Sequence, residues 1–224
     1  MKKEAELINN KTLGHQVLDR LRAKIMDLDF LPGESVSLKG LAELFGVSIQ
    51  PVREAVWQLE AEGILHVKPN KGIQISQLSA KEFKEISMMR LNLESLALTE
   101  ACSRRTDKHI AAARKVLKIM KRKIKENDPK EYMRQNVFFH YELYRAADMP
   151  FLLRTIDTLR LRVHPYIYQS VTTSRAIADT FQVHADILEG VKNRDAPAAV
   201  KSLREDLQEV TDYLLGVWEK QNLV

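Results

Sequence analysis

Cysteine is almost missing: the 224 residues hold one, Cys102, so no intrachain disulfide can staple the fold. A lone thiol suits a reducing compartment, and its neighbours Leu96, Leu98 and Ala101 mark it as a buried structural residue. Glycine (8) and proline (7) are scarce, and no glycine-rich phosphate loop can be drawn from them. No nucleophile with a positioned base stands out either. No apolar run approaches the ~18–20 residues that a membrane span needs, and no apolar stretch follows Met1-Lys2-Lys3 as a secretion signal requires. These absences predict a soluble, cytoplasmic protein with no membrane partner. A charge excess is also missing where it would be most telling. The first 75 residues hold as many acidic as basic side chains, so any surface for an anionic partner there must come from sorting charges onto one face.

What is present leans towards helix. The chain is 45% hydrophobic and 29% charged, enough for a packed core. Leu, Ala, Glu, Lys and Arg abound, and these lose little rotamer freedom in a helix. The net charge of +5 and pI near 9.2 make nucleic acid the first partner to consider. The length accommodates two modest domains.

Residues 1–12 are polar and read as a flexible arm. Residues 13–77 read as one domain. From Leu13 to about Asp29, Val17, Leu21, Ile25 and Leu28 recur at helical spacing, and Leu31-Pro32-Gly33 ends the run. Ser37 can cap a second helix carrying Leu38, Leu41, Ala42 and Leu44, stopped by Gly46. Ser48 can cap a third, whose Val52, Ala55, Val56 and Leu59 form the buried stripe before Gly63. The period then changes to that of two short strands, 64–68 and 72–76, joined by a turn at Pro69-Asn70-Lys71-Gly72. Three helices and a hairpin make a winged helix-turn-helix. Residues 78–224 read as helices over about 79–104, 107–127, 129–148, 150–170, 174–193 and 196–221, broken at Thr106-Asp107, Asn127-Asp128-Pro129, Met149-Pro150, Thr172-Thr173-Ser174 and Asn193 to Pro197. The fold class is therefore mainly α: a winged helix-turn-helix followed by an antiparallel six-helix bundle.

In a helix-turn-helix the second helix lays its N-terminal residues in the major groove. With Val52, Val56 and Leu59 facing inward, Ser48, Gln50 and Arg53 lie outward at the start of the third helix. Arg can fork onto guanine O6/N7, Gln onto adenine, and Ser onto phosphate or a base edge. Lys39 and the wing-tip Lys71 can reach phosphates, although a solvated surface explains either alone, and Gly72 permits close backbone approach. The segments Leu41 to Ala55, Leu59-Glu60-Ala61-Glu62-Gly63 and Pro69-Asn70-Lys71-Gly72 resemble the GntR family of regulators. In that family the recognition helix usually opens Ser-Arg-Thr-Pro-Val-Arg; this chain has Ser48-Ile49-Gln50-Pro51-Val52-Arg53. The resemblance carries DNA contact onto Ser48 and Arg53, and in a weaker form onto Lys39, Lys71 and Gly72. It does not carry to Ile49, which replaces the family's first arginine. A pseudo-palindromic operator read by a homodimer is the partner it implies.

In the helical half, Asn136 and His140 are four apart, so both emerge on one helix face. His184 lies nine residues before Asn193 and Asp206 nine after Pro197. Across an antiparallel hairpin turning there, the two sit at similar heights and can face each other. If the helix of Asn136 and His140 packs on that hairpin, two imidazoles, a carboxylate and an amide converge. Such a set suits a divalent transition metal, Zn, Ni, Mn or Fe; hydrogen-bonded core histidines and a packed Asn136 are the plainer reading. The stretch Met89-Arg90-Leu91-Asn92-Leu93-Glu94, Phe139-His140 and His184-Ala185-Asp186-Ile187-Leu188 with Asn193-Arg194-Asp195 resembles the FCD ligand-binding domain of the FadR subfamily, with six helices as in its VanR-like branch. Many such domains hold a metal through Asp and His on one helix and two further His. Here Asn136 stands at the first carboxylate position and Asp206 at the last His position. The resemblance also implies a small organic acid effector, for whose carboxylate Arg90 is the first candidate partner; an ion pair with Glu94 is the alternative use of Arg90. Arg160, Arg162 and His164 share one helix and could line a pocket. Tyr132, Phe138, Tyr141 and Tyr144 read as core.

The expected function is a ligand-responsive transcriptional regulator. The competing function is a metal-dependent enzyme using His140, His184 and Asp206 as a two-His-one-carboxylate site, which leaves the winged helix without a purpose.

Overall fold

A computed structural model of the protein describes residues 12–68, 72–174 and 177–220, the side chains of 169–180 excepted. The arm expected over 1–12 falls outside the described residues save Thr12, as do the wing-tip turn and Lys71. The chain divides into two compact units, Met1–Ser76 and Gln77–Val224.

In the first unit, α1 (Leu13–Met26), α2 (Leu38–Phe45) and α3 (Ile49–Ala61) pack on one another beside a small antiparallel sheet. Thr12 and Ser37 cap α1 and α2 by accepting from the backbone N–H of His15 and Gly40. The helical stripes Val17, Leu21 and Ile25, then Leu41 and Phe45, then Val52, Val56 and Leu59 are all buried. Full burial of a side chain of this size contributes about 1.5–3 kcal/mol, so these stripes fix the rotation of each helix.

Two features of this unit were not visible in the periodicity. First, α1 stops at Met26 and not near Asp29. Leu28 adopts φ 61°, its N–H bonds Ile25 O, and the N–H of Asp29 bonds Lys24 O. That is the usual left-handed helix stop, built on a leucine instead of a glycine. Second, Ser35–Val36 forms a short strand, β1. With β2 (Leu65–Lys68) and β3 (Gly72–Ile75) it makes a sheet of order β1-β3-β2, pairing Ser35 with Gln74 and Leu65 with Ile75.

The second unit is helical throughout its described residues: α4 (Ala80–Arg104), α5 (Asp107–Lys125), α6 (Pro129–Tyr144), a single 3-10 turn (Arg145–Ala147), α7 (Pro150–Ser174), α8 (Ile177–Lys192) and α9 (Ala196–Lys220). Caps set the starts. Ser79 and Glu82 form a reciprocal capping box on α4, Thr106 and His109 do so on α5, and Asp128 accepts from Glu131 N ahead of Pro129 on α6. The expected break at Thr172-Thr173-Ser174 is corrected: these residues complete α7. Residues of small helix preference are tolerated in a last turn, where propensity counts least. Leu98, Met120, Tyr132, Phe139, Leu143, Ile187 and Leu203 form the centre of the core. Of the aromatic series read as core, Tyr132 and Tyr144 are buried, whereas Phe138 and Tyr141 lie exposed and Phe139 takes the inward place.

The α8–α9 hairpin is held by two devices. A Cβ on Gly190 would lie 2.7 Å from Ala199 N, so only glycine lets the helices come this close. Arg194, at φ 59°, turns the chain, and its guanidinium donates to the carbonyls of Cys102, Ser103 and Arg105 at the end of α4. This hairpin carries half of the polar site described next.

Candidate DNA-reading helix and buried polar site

On α3 the buried arc is Pro51, Val52, Ala55, Val56 and Leu59. The exposed side chains at the start and middle of the helix include Ile49, Gln50, Arg53, Glu54, Trp57 and Gln58. Ser48 stands at the N-cap with extended backbone, but its side chain makes no cap hydrogen bond. The hydroxyl is thus not spent on the helix start. Gln50 Nε2 donates to Glu54 Oε1 over 3.3 Å, a single exposed bond that is easily exchanged. Arg53 is exposed and has no ion pair among the described residues. Its charge near the helix N-terminus opposes the helix dipole, a cost that an external anion removes. Lys39 on α2 is exposed, with Nζ 3.8 Å from Glu43 Oε1, a surface pair of little weight. Gly72 has a reason of its own in the fold. It adopts φ +81°, and a Cβ there would meet Val36 O at 2.8 Å, so glycine is required by the β1–β3 pairing with or without a ligand.

In the second unit the four spaced residues do meet. Asn136 and His140 sit one turn apart on α6, His184 on α8 and Asp206 on α9. His140 Nε2 lies 3.6 Å from Asp206 Oδ2, and His184 Nε2 lies 4.0 Å from Asp206 Oδ1. One donor atom from each of His140, His184 and Asp206 falls within 4.8 Å of the others; both histidines are buried and Asp206 is mostly so. Asn136 Nδ2 is 2.8 Å from His184 Nε2. In this orientation the amide is a hydrogen-bond partner of His184; a half-turn of the amide brings Oδ1, the atom able to bind a cation, to the same place.

Behind the cluster runs a chain of contacts that spacing alone did not reveal. Tyr144 gives its one hydroxyl proton to Glu94 Oε2 at 2.7 Å, so its oxygen accepts from His140 Nδ1 at 3.2 Å. The proton of His140 is thereby placed on Nδ1, and the Nε2 lone pair faces Asp206. Burial pushes His140 down to about 4, against the upward pull of Asp206, so its imidazole is neutral at neutral pH. Burial also opposes charge on Asp206, but His184, His140 and Arg160 beside it hold its carboxyl well below the usual carboxylate range. A lone pair facing a carboxylate across 3.6 Å is repulsive unless a cation or proton lies between them. The donor set therefore fits a divalent transition metal, whose ligand atoms at about 2.0–2.2 Å from the ion lie some 3–3.5 Å apart.

Glu94 is fully buried at the centre of this chain. Arg90 Nε donates to its Oε1 at 2.7 Å and Arg160 to its Oε2 at 3.3 Å. Burial raises its pKa, but Arg90, Arg160 and His140, with the Tyr144 hydrogen bond, bring it below the usual value. The ion pair of Arg90 with Glu94 is thus present, and Arg90 also lines the adjoining cavity. That cavity, of about 50 Å³, lies beside Asn136, His140, Asp206, Arg160 and His164. Arg162, on the same helix, is not among its lining residues.

Two family models match the chain. Residues 13–75 match "Bacterial regulatory proteins, gntR family" and residues 85–209 match the FCD domain. The HTH-type transcriptional regulator McbR of Escherichia coli (strain K12) is 26% identical over 181 residues, covering 80% of this chain and 81% of that protein. The HTH-type transcriptional repressor RspR of the same organism is 25% identical over 209 residues, 93% of this chain and 92% of the relative. The gluconate operon transcriptional repressor of Bacillus subtilis (strain 168) is 26% identical over 225 residues, 98% and 92% of the two chains. The solved structure of E. coli McbR superposes with a TM-score of 0.87 at 24% identity, covering 93% of this chain and all of that one, so the two share a fold.

Proposed function

Because the chain belongs to the GntR family and carries an FCD domain, it is a DNA-binding transcriptional regulator and not an enzyme, and we propose that it answers to a small organic acid bound beside a divalent metal in its helical unit. The observation that carries this reading is the unpaired facing of His140 Nε2 and Asp206 at 3.6 Å, next to a cavity walled by Arg90 and Arg160. Glu94 and Asp206 balance those two arginines. A divalent cation at His140, His184 and Asp206, with Asn136 turned to offer Oδ1, makes the wall net positive. The carboxylate of an acid restores neutrality and occupies the metal's open positions. The name of the gluconate operon repressor is in keeping with an acid of this kind.

On the DNA side, Arg53, Gln50 and Ser48 contact the major groove, and Lys39, Lys71 and Gly72 the flanking backbone. Two copies meet a pseudo-palindromic operator, one α3 in each half-site. Effector binding shifts the populations of two arrangements of the reading heads. The test is elemental analysis of the purified protein, with about one transition metal per chain expected, followed by gel-shift titration against small carboxylic acids. Absence of metal, with no thermal shift on adding Zn, Ni or Mn, removes the metal; operator affinity indifferent to every acid removes the effector class.

A further inference from the structure

Ile49 occupies the first position of α3, directly after Ser48, and is 43% exposed. Pro51, Val52, Ala55, Val56 and Leu59 form the buried arc of α3, and Ile49 lies at the edge of that arc, left open at the helix start. Next to it stands Gln50, and one turn on stands Arg53, both exposed. A β-branched apolar side chain gains nothing from water or from the helix in such a position. In a helix-turn-helix this is the turn that meets base edges. Most GntR recognition helices place an arginine there, whose fork complements guanine O6 and N7. A branched hydrocarbon has no donor for those acceptors. The one apolar group that a base edge presents in the major groove is the C5-methyl of thymine.

We propose that Ile49 is a specificity residue that reads a thymine methyl group, with Gln50 beside it reading adenine, so that the first turn of α3 selects A·T pairs where an arginine would select G·C. The inference rests on α3 being the recognition helix. Arg53 keeps its guanine-type contact one turn deeper, so the half-site changes character along the helix: apolar and amide-read at the start, guanidinium-read after it. Gln50 must release Glu54 to make its contact, which costs one exposed hydrogen bond at 3.3 Å.

The experiment begins with selection of duplexes from a randomised pool by the full-length protein. In the selected duplex, each thymine is then replaced singly by 2′-deoxyuridine, which removes only the methyl group. At one position per half-site the wild type is expected to lose about fourfold in affinity, the equivalent of one buried methyl group. Ile49→Ala, still cooperative in thermal unfolding, is expected to bind the thymine and deoxyuridine duplexes equally. Ile49→Arg, put through the same selection, is expected to exchange that A·T pair for G·C. Equal wild-type affinity for every substituted duplex overturns the proposal, and so does an Ile49→Ala protein that still discriminates fourfold. If no duplex is selected at all, the assignment of α3 as reader fails, and the proposal with it.

Discussion

The two candidate sites are built in opposite ways. The DNA-reading surface comes from one continuous segment of α3, and its side chains are exposed and sparsely paired: Arg53 has no ion pair among the described residues, and Ser48 leaves its own helix uncapped by its side chain. The polar site of the helical unit draws on α4, α6, α7, α8 and α9. Its groups are buried and tied to one another, from His140 through Tyr144 to Glu94 and two arginines. A surface that must release water and seize a polyanion keeps its donors available. A pocket that must hold a cation in one geometry fixes every proton beforehand. Substitutions in the first should therefore alter binding without touching the fold, and substitutions in the second should do both.

The largest effect is expected at Glu94. Glu94→Gln takes from the buried Arg90 and Arg160 the carboxylate that both bind and leaves Asp206 alone to balance two charges, and a loss of roughly 3–5 kcal/mol is expected in denaturant unfolding. A loss below about 1 kcal/mol would mean that water reaches the pair and that the contrast between the units is overdrawn. Next is Arg53→Ala, expected to cost about 1–3 kcal/mol of operator binding with an unaltered unfolding curve; unchanged affinity in a gel-shift titration removes Arg53 from the site. Tyr144→Phe should weaken metal binding by about 10–100-fold, because His140 loses the acceptor that holds its proton on Nδ1. Isothermal titration with Zn would read this, and equal affinities would show that the tautomer is set elsewhere. The smallest effect belongs to Lys39→Ala. If it neutralises one phosphate, the slope of log affinity against log salt falls by about 1, uniformly across sequences. An unchanged slope leaves Lys39 a solvated surface residue.

The same contrast explains what could be read from the residues. Helices of the second unit were legible within a few positions because their caps, such as Ser79, Thr106 and Asp128, are local signals. The end of α1 was not, since its left-handed residue is Leu28 and nothing in a leucine announces that conformation. Strand β1 was missed because two residues carry no period, and its pairing with β3 is decided across the fold. The meeting of His184 with Asp206 followed from their equal distances to the turn, which is local to one hairpin. Glu94, Tyr144 and Arg160 could not be assembled this way. They lie on α4, α6 and α7, and their only shared signal is that charged or hydroxyl groups recur on otherwise apolar helix faces. Gly190 likewise looks like any helical glycine until Ala199 is seen against it.

The guanidinium of Arg194 bears on how the helical unit reaches its native state. The last carbonyls of α4 have no partners within their own helix, and three residues there are answered by a side chain about ninety positions later. Until the α8–α9 hairpin arrives, the end of α4 frays into water. Closing so long a loop is slow to nucleate, so α4 and the hairpin should gain protection from hydrogen exchange together, as one late cooperative step.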